Sequence, residues 1–474
     1  MVKKSILGAI LFLLPLVNIA QQIGLANSNY STTNAVILNP SKSADPKMNF
    51  DMTLLGFNFF AKNNYALIPK DNFKLSEIAN VQPIEDFIEE KKYGFHLELD
   101  VMLPSFSKAI NEYGFGTFVR ARAMVNGYNM PSHLMRFFWW GFGYQEQHDN
   151  QYQAGDFMIK SMSWLEVGAN ASRIAYQFNN HQVTAGVNVK RLFGIHNAGM
   201  YFSDSDYKVS DDSINIYLLN GNFGYAMPNA AGELPGKGWG MDIGFTYKRT
   251  IKPVNRYIPF NKFSSCEQRR YDYKIGVSFL DIGGIKFKNN AVNRTFDDAS
   301  TIWRDYRTTE LSSLEGFEDE ITSRFGDELT SVNEFRAALP TSIVLEIDKR
   351  FRNFFFLNTT GLLNIRRRSN LGVSRLGFFA LTPRFEFNKF EAAFPITLYG
   401  YNPPSLGFML KGGGFFIGSN NFIPFVLNMN VWGSDVYLGF KYSIASNKSC
   451  KPMVEERDNW WCPSCENDKK KKRR

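Results

Sequence analysis

Glu98 and Asp100 form one pair of like charges two residues apart, and Arg120 and Arg122 form another. Paired carboxylates are the raw material of acid–base catalysis, and paired guanidiniums bind anions. In a strand, residues two apart share a face. If the two strands are neighbours, roughly 4.8 Å apart, the opposite charges meet across the wall. Two readings stay open: an ion-pair network that fills and closes an interior, or a polar constriction that selects solutes. Catalysis lacks company. His96, His133, His148, His181 and His196 include no metal-binding pair one helical turn apart. There is no Gly-x-Ser-x-Gly elbow and no Gly-x-x-x-x-Gly-Lys phosphate loop. Gly412-Gly413-Gly414 lacks the strand–turn–helix context of a phosphate cradle. No catalytic residue, metal or cofactor is assigned.

The second chemistry-bearing group is at the far end. Cys462-Pro463-Ser464-Cys465 is a Cys-x-x-Cys pair, with Cys450 upstream and Cys266 distant. Zinc would need a fourth ligand, and no histidine is near. An exported compartment favours a disulfide among Cys450, Cys462 and Cys465, ahead of free or cross-protein thiols and of metal. The basic run 469–474 suits anionic headgroups or an acidic periplasmic protein partner.

The elements that must position these groups show their plan in residues 239–248. Trp239, Met241, Ile243, Phe245 and Tyr247 share one parity; Gly240, Asp242, Gly244, Thr246 and Lys248 share the other. The same alternation recurs along 95–103, 113–123, 183–190, 271–279, 343–348, 425–431 and 436–444. A soluble sandwich alternates too, but its apolar face is a core of Val, Ile and Leu. Here that face is full of Tyr, Trp and Phe, and the polar face carries Gly, Asn, Ser, Thr and charges. This is the pattern of a wall with lipid outside and a polar lumen inside. Weaker candidates beginning near 49, 164, 173, 213, 354, 377, 391 and 406 bring the total to roughly 14 strands.

Composition agrees. Of the 474 residues, 15% are aromatic, 44 of them Phe, and only 21% are charged. Mean hydropathy is −0.26, which does not weigh against a barrel, since only alternate residues meet lipid. Residues 1–20 read as a cleaved signal peptide: Lys3 and Lys4, then an apolar core. After residue 20 no apolar run reaches the roughly 18 residues of a spanning helix. Of the formal charge of +9, the 469–474 run supplies six and Lys3 and Lys4 two more. The body is near neutral, which argues against nucleic acid as a partner.

The expected architecture is all-β: a transmembrane antiparallel barrel over 48–445, after a plug segment at 21–47 whose turn is Asn39-Pro40. A short helix is expected at 74–92. A longer helical insertion is expected at 303–338, where Leu311, Leu314, Phe317, Ile321, Phe325 and Leu329 recur at steps of three and four. Residues 446–474 form a Cys-bearing basic periplasmic tail.

Three motifs carry a resemblance. They are Gly24-Leu25-Ala26-Asn27-Ser28-Asn29-Tyr30 with Asn39-Pro40-Ser41, Phe279-Leu280-Asp281-Ile282-Gly283-Gly284-Ile285, and Gly400-Tyr401-Asn402-Pro403-Pro404-Ser405-Leu406-Gly407. In that order, over residues 22–445, the chain resembles an outer-membrane barrel family common in the Bacteroidota that carries no established reaction. It is more distantly similar to FadL-type barrels, which pass hydrophobic compounds and hold an N-terminal plug with an Asn-Pro motif, matched by Asn39 and Pro40. That similarity implies about 14 strands and a plugged lumen; the helical insertion and the Cys-bearing tail depart from it. The expected role is a channel or transporter for small or hydrophobic solutes in the outer membrane. The alternative is a structural or docking subunit of an envelope complex, with outer-membrane lipid around it and a periplasmic protein on residues 446–474.

Overall fold

The computed structural model describes residues 22–444, apart from 68–83, 86–90, 255–256, 261–269, 305, 307–313, 327–328, 366–370, 388–389, 401–403, 423 and 425–429. Fourteen antiparallel strands close on themselves. In chain order they are β1 (Phe50–Asn63), β2 (Lys92–Met102 with Ser105–Ile110), β3 (Tyr113–Pro131), β4 (Gln151–Ala154 with Phe157–Phe178) and β5 (His181–Val209). Next come β6 (Ser213–Ala226 with Gly236–Thr250), β7 (Tyr271–Phe287 with Ala291–Arg304) and β8 (Leu329–Val332, Phe335–Ala338 and Ser342–Arg350). The rest are β9 (Phe355–Asn364), β10 (Phe378–Glu386), β11 (Phe390–Ala393 with Ile396–Tyr399), β12 (Ser405–Leu406 with Phe408–Gly412), β13 (Phe415–Ser419) and β14 (Gly433–Ile444). Closure runs from Phe50 opposite Ile444 to Lys62 opposite Gly433. Within lipid no water can satisfy a free edge, and closing the sheet removes the edge.

The alternation is resolved in the inverse sense to a soluble protein. Trp239 is 60% exposed and Phe245 48%, whereas Asp242 is 2% and Lys248 4%. From Trp239 to Tyr247 the strand rises about 21 Å along the barrel axis at the usual tilt, close to the roughly 25 Å apolar band of outer-membrane barrels. Replacing Ile243, midway, with arginine should destabilise the barrel in lipid by about 2–4 kcal/mol. Urea titration in lipid vesicles checks this; a neutral effect would mean that this face meets water.

One rim has tight turns, such as Asn111-Glu112 and Asn179-Asn180, with Asn111 at φ +54° and Asn179 at φ +50°. The other rim carries most of the long connections, including 64–91, 132–150 and 305–328, while 251–270 lies on the first rim. Short turns mark the periplasmic rim of such barrels. Strands β4 to β8 rise far above the opposite rim: β5 alone has 29 residues, while β13 has 5. A crossing needs only about 9–11.

Several expectations need correction. Among its described residues the insertion at 303–338 is α-helical over α3 (Leu314–Phe325), and Gly326, at φ +48°, ends that helix. Trp303 and Arg304 still belong to β7, and Leu329–Val332 and Phe335–Ala338 already belong to β8. They are strand because they complete the raised wall, where Arg294 faces Ser331 and Lys286 faces Arg336. Ile321 and Phe325 pack with Phe223, Tyr225 and Phe296, so the helix lies against that wall. The 74–92 helix falls mostly outside the described residues; of its described parts Ile84–Glu85 and Lys92 are strand and Lys91 is irregular. The 425–431 strand also falls largely outside them. The starts near 164 and 173 lie in one strand, β4. Residues 1–20 and 446–474 lie outside as well, and with them Cys450, Cys462 and Cys465.

Candidate functional site

The lumen holds residues 22–47. Residues 22–47 form α1 (Ile23–Ala26), α2 (Thr32–Leu38) and a 3-10 turn (Pro40–Ser43). These helices are far too short to persist alone, so the wall holds them. Asn39 is extended, as a residue before proline must be. Its Oδ1 accepts from the Ser41 amide at 3.1 Å and hydroxyl at 2.8 Å, closing the turn. Its Nδ2 donates to the Phe245 carbonyl at 3.1 Å.

The wall is recessed to receive that turn. Gly114, Ser172, Gly186, Gly244 and Ser278 stand directly opposite one another across β3, β4, β5, β6 and β7, a belt of small lumen-facing residues. A Cβ on Gly244 would lie 2.2 Å from Asn39 Oδ1, and one on Gly186 2.5 Å from the Pro40 carbonyl carbon. Ser278 donates to the Leu38 carbonyl at 2.6 Å, and Asn170 to the Pro40 carbonyl at 3.1 Å. Ion pairs complete the seat. Asp45 pairs with Lys248, Lys42 with Glu346 at 2.6 Å, and Lys47 with Glu386 at 3.3 Å. Ile23 and Leu25 join Phe378, Met409 and Tyr437 in an apolar cluster.

A second segment enters from the other rim. Residues 371–377, between β9 and β10, run inside the barrel as a strap. Leu371 accepts from Asn197 at 3.1 Å, the Ser374 amide donates to Asn126 at 2.8 Å, and Arg375 pairs with Asp281 at 3.0 Å. Leu371 and Val373 pack with Trp164, Leu192, Ile285 and Phe287.

Asp281 is the hub. A bulge in β7 puts it at φ +55° and re-aims its side chain into the lumen. It meets Lys190 at 2.5 Å, Arg375 at 3.0 Å and Arg122 at 3.1 Å. Arg122 also lies 3.7 Å from Glu98 and 3.5 Å from Glu166, and its guanidinium stacks over Trp164 at 4.6 Å. Arg120 pairs with Asp100 and, at 2.7 Å, with Glu166. Lys190 reaches Asp242 at 2.6 Å. Five carboxylates thus meet four cations, with His96 3.6 Å from Glu98. Mutual pairing is what makes so many buried charges tolerable.

The four lumen charges read from the sequence therefore do converge, but not in simple ladder fashion. Asp100 stands opposite Arg122 and bonds to Arg120 instead. Sequence reasoning missed Glu166, Lys190, Asp242, Asp281 and Arg375. The inward parity of their strands marks the first three. Asp281 sits inside a quoted motif, and nothing in the sequence marks Arg375.

Between plug, strap and wall lies a cavity of about 90 Å³. Ile23, Ala26, Ile37, Leu38 and Phe378 form its apolar side, and Asn58, Glu98, Asp100, Arg120 and Arg375 its polar side. Asn58 Oδ1 is buried without a hydrogen-bond partner, and Glu98 Oε2 has only His96 Nε2, at 3.6 Å. Such atoms call for a water or a ligand. Among the described residues no three His, Cys, Asp or Glu side chains gather as a metal site.

A closed fourteen-stranded wall with lipid-facing aromatics and a filled, charged lumen defines a β-barrel of the outer-membrane type. The chain belongs to the family of unknown function DUF5723, whose model matches residues 40–420. No curated protein matches it. Among solved structures it is similar to a deletion mutant of the TodX monoaromatic hydrocarbon channel, at 10% identity and TM-score 0.44 over 90% of this chain and 99% of that one. It is also similar to a FadL homologue from Pseudomonas aeruginosa, at 11% identity and TM-score 0.37 over 90% and 97%. The toluene transporter TodX of Pseudomonas putida aligns at 11% identity and TM-score 0.27 over 89% and 96%.

Proposed function

We propose that this protein is a gated passage for small hydrophobic solutes across the outer membrane, reached after cleavage of residues 1–20. The observation that carries the reading is the cavity between plug and strap. It has one apolar side set against the lumen's charged network, and the N-terminal segment contributes Ile23, Ala26, Ile37 and Leu38 to that side. At about 90 Å³ it is smaller than the roughly 150 Å³ cavity known to admit benzene. A solute therefore enters only as the plug shifts, and the ion pairs around the cavity keep water and ions from following.

A second reading is favoured by how thoroughly the plug is bonded to the wall. A sealed barrel would serve as an anchor for an envelope complex, with residues 446–474 docking a periplasmic partner. Uptake of a labelled monocyclic aromatic by cells with an intact outer membrane separates the two. A passage predicts faster uptake on expression of the protein, lost on Ala26→Phe, which fills the cavity. Uptake that does not respond to the protein removes the passage and leaves the anchor.

A further inference from the structure

The outward face of the raised wall carries a row of cations at the border of the apolar band. Lys237 on β6 stands directly opposite Lys286 on β7, which stands directly opposite Arg336 on β8. All three lie on the lipid-facing parity of their strands. Lys288 is two residues further on and 60% exposed. Arg191 on β5 faces Trp239 across the ladder, and its guanidinium lies 4.9 Å over the indole. Among the described residues one carboxylate, Glu334, answers this cluster, at 2.5 Å from Lys286 and 3.7 Å from Lys288. Like charges directly opposite on neighbouring strands repel. Three in line on an outer wall are costly unless an anion settles among them.

The height of the row says which anion. Immediately below it the same face turns apolar: Trp239, Met241 and Ile282 are 60%, 36% and 36% exposed. This is the rim that carries most of the long connections, so the row lies at the headgroup level of the outer leaflet. From β6 to β8 it spans about 10 Å, two strand spacings. The geometry points to a binding site for the phosphorylated headgroup of an outer-leaflet glycolipid. Its phosphates lie among Lys237, Lys286 and Arg336, and its acyl chains lie against Trp239, Met241 and Ile282. Lysine and arginine give charge-assisted bonds to phosphate oxygens, and the apolar face below accepts hydrocarbon. A free phosphate would use only the upper half of this surface. The site stands apart from the lumen and does not depend on what the lumen passes.

The test is native mass spectrometry of the full-length chain in neutral detergent. The probes, at equal concentration, are diphosphorylated lipid A, the same lipid A stripped of phosphate, and inorganic phosphate as a competitor. The wild type should retain the diphosphorylated lipid and release the stripped one. The combined variant Lys237→Gln, Lys286→Gln and Arg336→Gln should retain roughly a hundredfold less, about fivefold per cation removed. Its heat-dependent gel migration should be unchanged, because these side chains point away from the lumen. Arg249→Gln, exposed near the opposite rim of β6, should retain lipid as the wild type does. Equal retention by the triple variant, equal retention of the stripped lipid, or full displacement by inorganic phosphate would each overturn the assignment.

Discussion

Asp281→Asn is expected to destabilise the folded barrel by about 3–5 kcal/mol, the usual cost of removing one partner from a buried ion pair. Three cations, Lys190, Arg375 and Arg122, converge within 3.1 Å of this carboxylate. The amide keeps the shape but withdraws the charge that holds them together. The strap should loosen first, because Asp281 is the one carboxylate in direct contact with Arg375 among the described residues, and Glu98 acts on it only at longer range. Urea unfolding in lipid vesicles gives the magnitude. A companion variant, Arg375→Met, should be much less damaging in the Asp281→Asn background than alone, since it removes one of the stranded charges. A loss under about 1 kcal/mol, the range of an exposed pair, would show that Asp281 is not the hub.

The second large effect is steric. Gly244→Val places side-chain atoms where Asn39 Oδ1 already stands 2.2 Å from an added Cβ. Valine itself suits a strand, so the wall should close normally and the plug should be expelled from its seat. Trypsin should then cut after Lys42 and Lys47, which in the wild type are held by Glu346 and Glu386. Gly361→Val is the control, because an added Cβ there meets nothing within 4 Å. Equal cleavage of Gly244→Val and wild type would mean that the turn does not need the belt.

The wall was legible in the sequence wherever one face meets lipid and the other the lumen, because that contrast writes a period of two. Residues 239–248 show it, and so do 95–103 and 343–348. It fades in the raised part of the wall. There Ser203 and Asp204 stand in water, and helix α3 covers part of one face, so polar and apolar no longer sort by parity. That is why 303–338 read as one helical unit. Its stripe is real from Phe317 to Phe325, and the alternation of Phe335, Arg336 and Ala337 that follows is only three residues long.

The charge pairs were legible by parity but not by partner. Arg122 meets Asp281 across the lumen, 159 residues away in sequence, and no neighbour-strand argument reaches that far. The strap was invisible for a related reason. It has no regular structure, so it has no period, and its place inside the barrel rests on single contacts such as Ser374 with Asn126. The plug turn was legible because Asn-Pro restricts its own backbone. The recess that receives it was not: Gly114, Gly186 and Gly244 become one belt only when strand register brings them level.

The protein's own chain fills the lumen from both rims. Ion conductance in planar bilayers tests that most directly. The wild type should insert and stay electrically silent, and a chain lacking residues 22–47 and carrying Asp281→Asn should open in discrete conducting steps. A steady ohmic conductance from the intact wild type would contradict it.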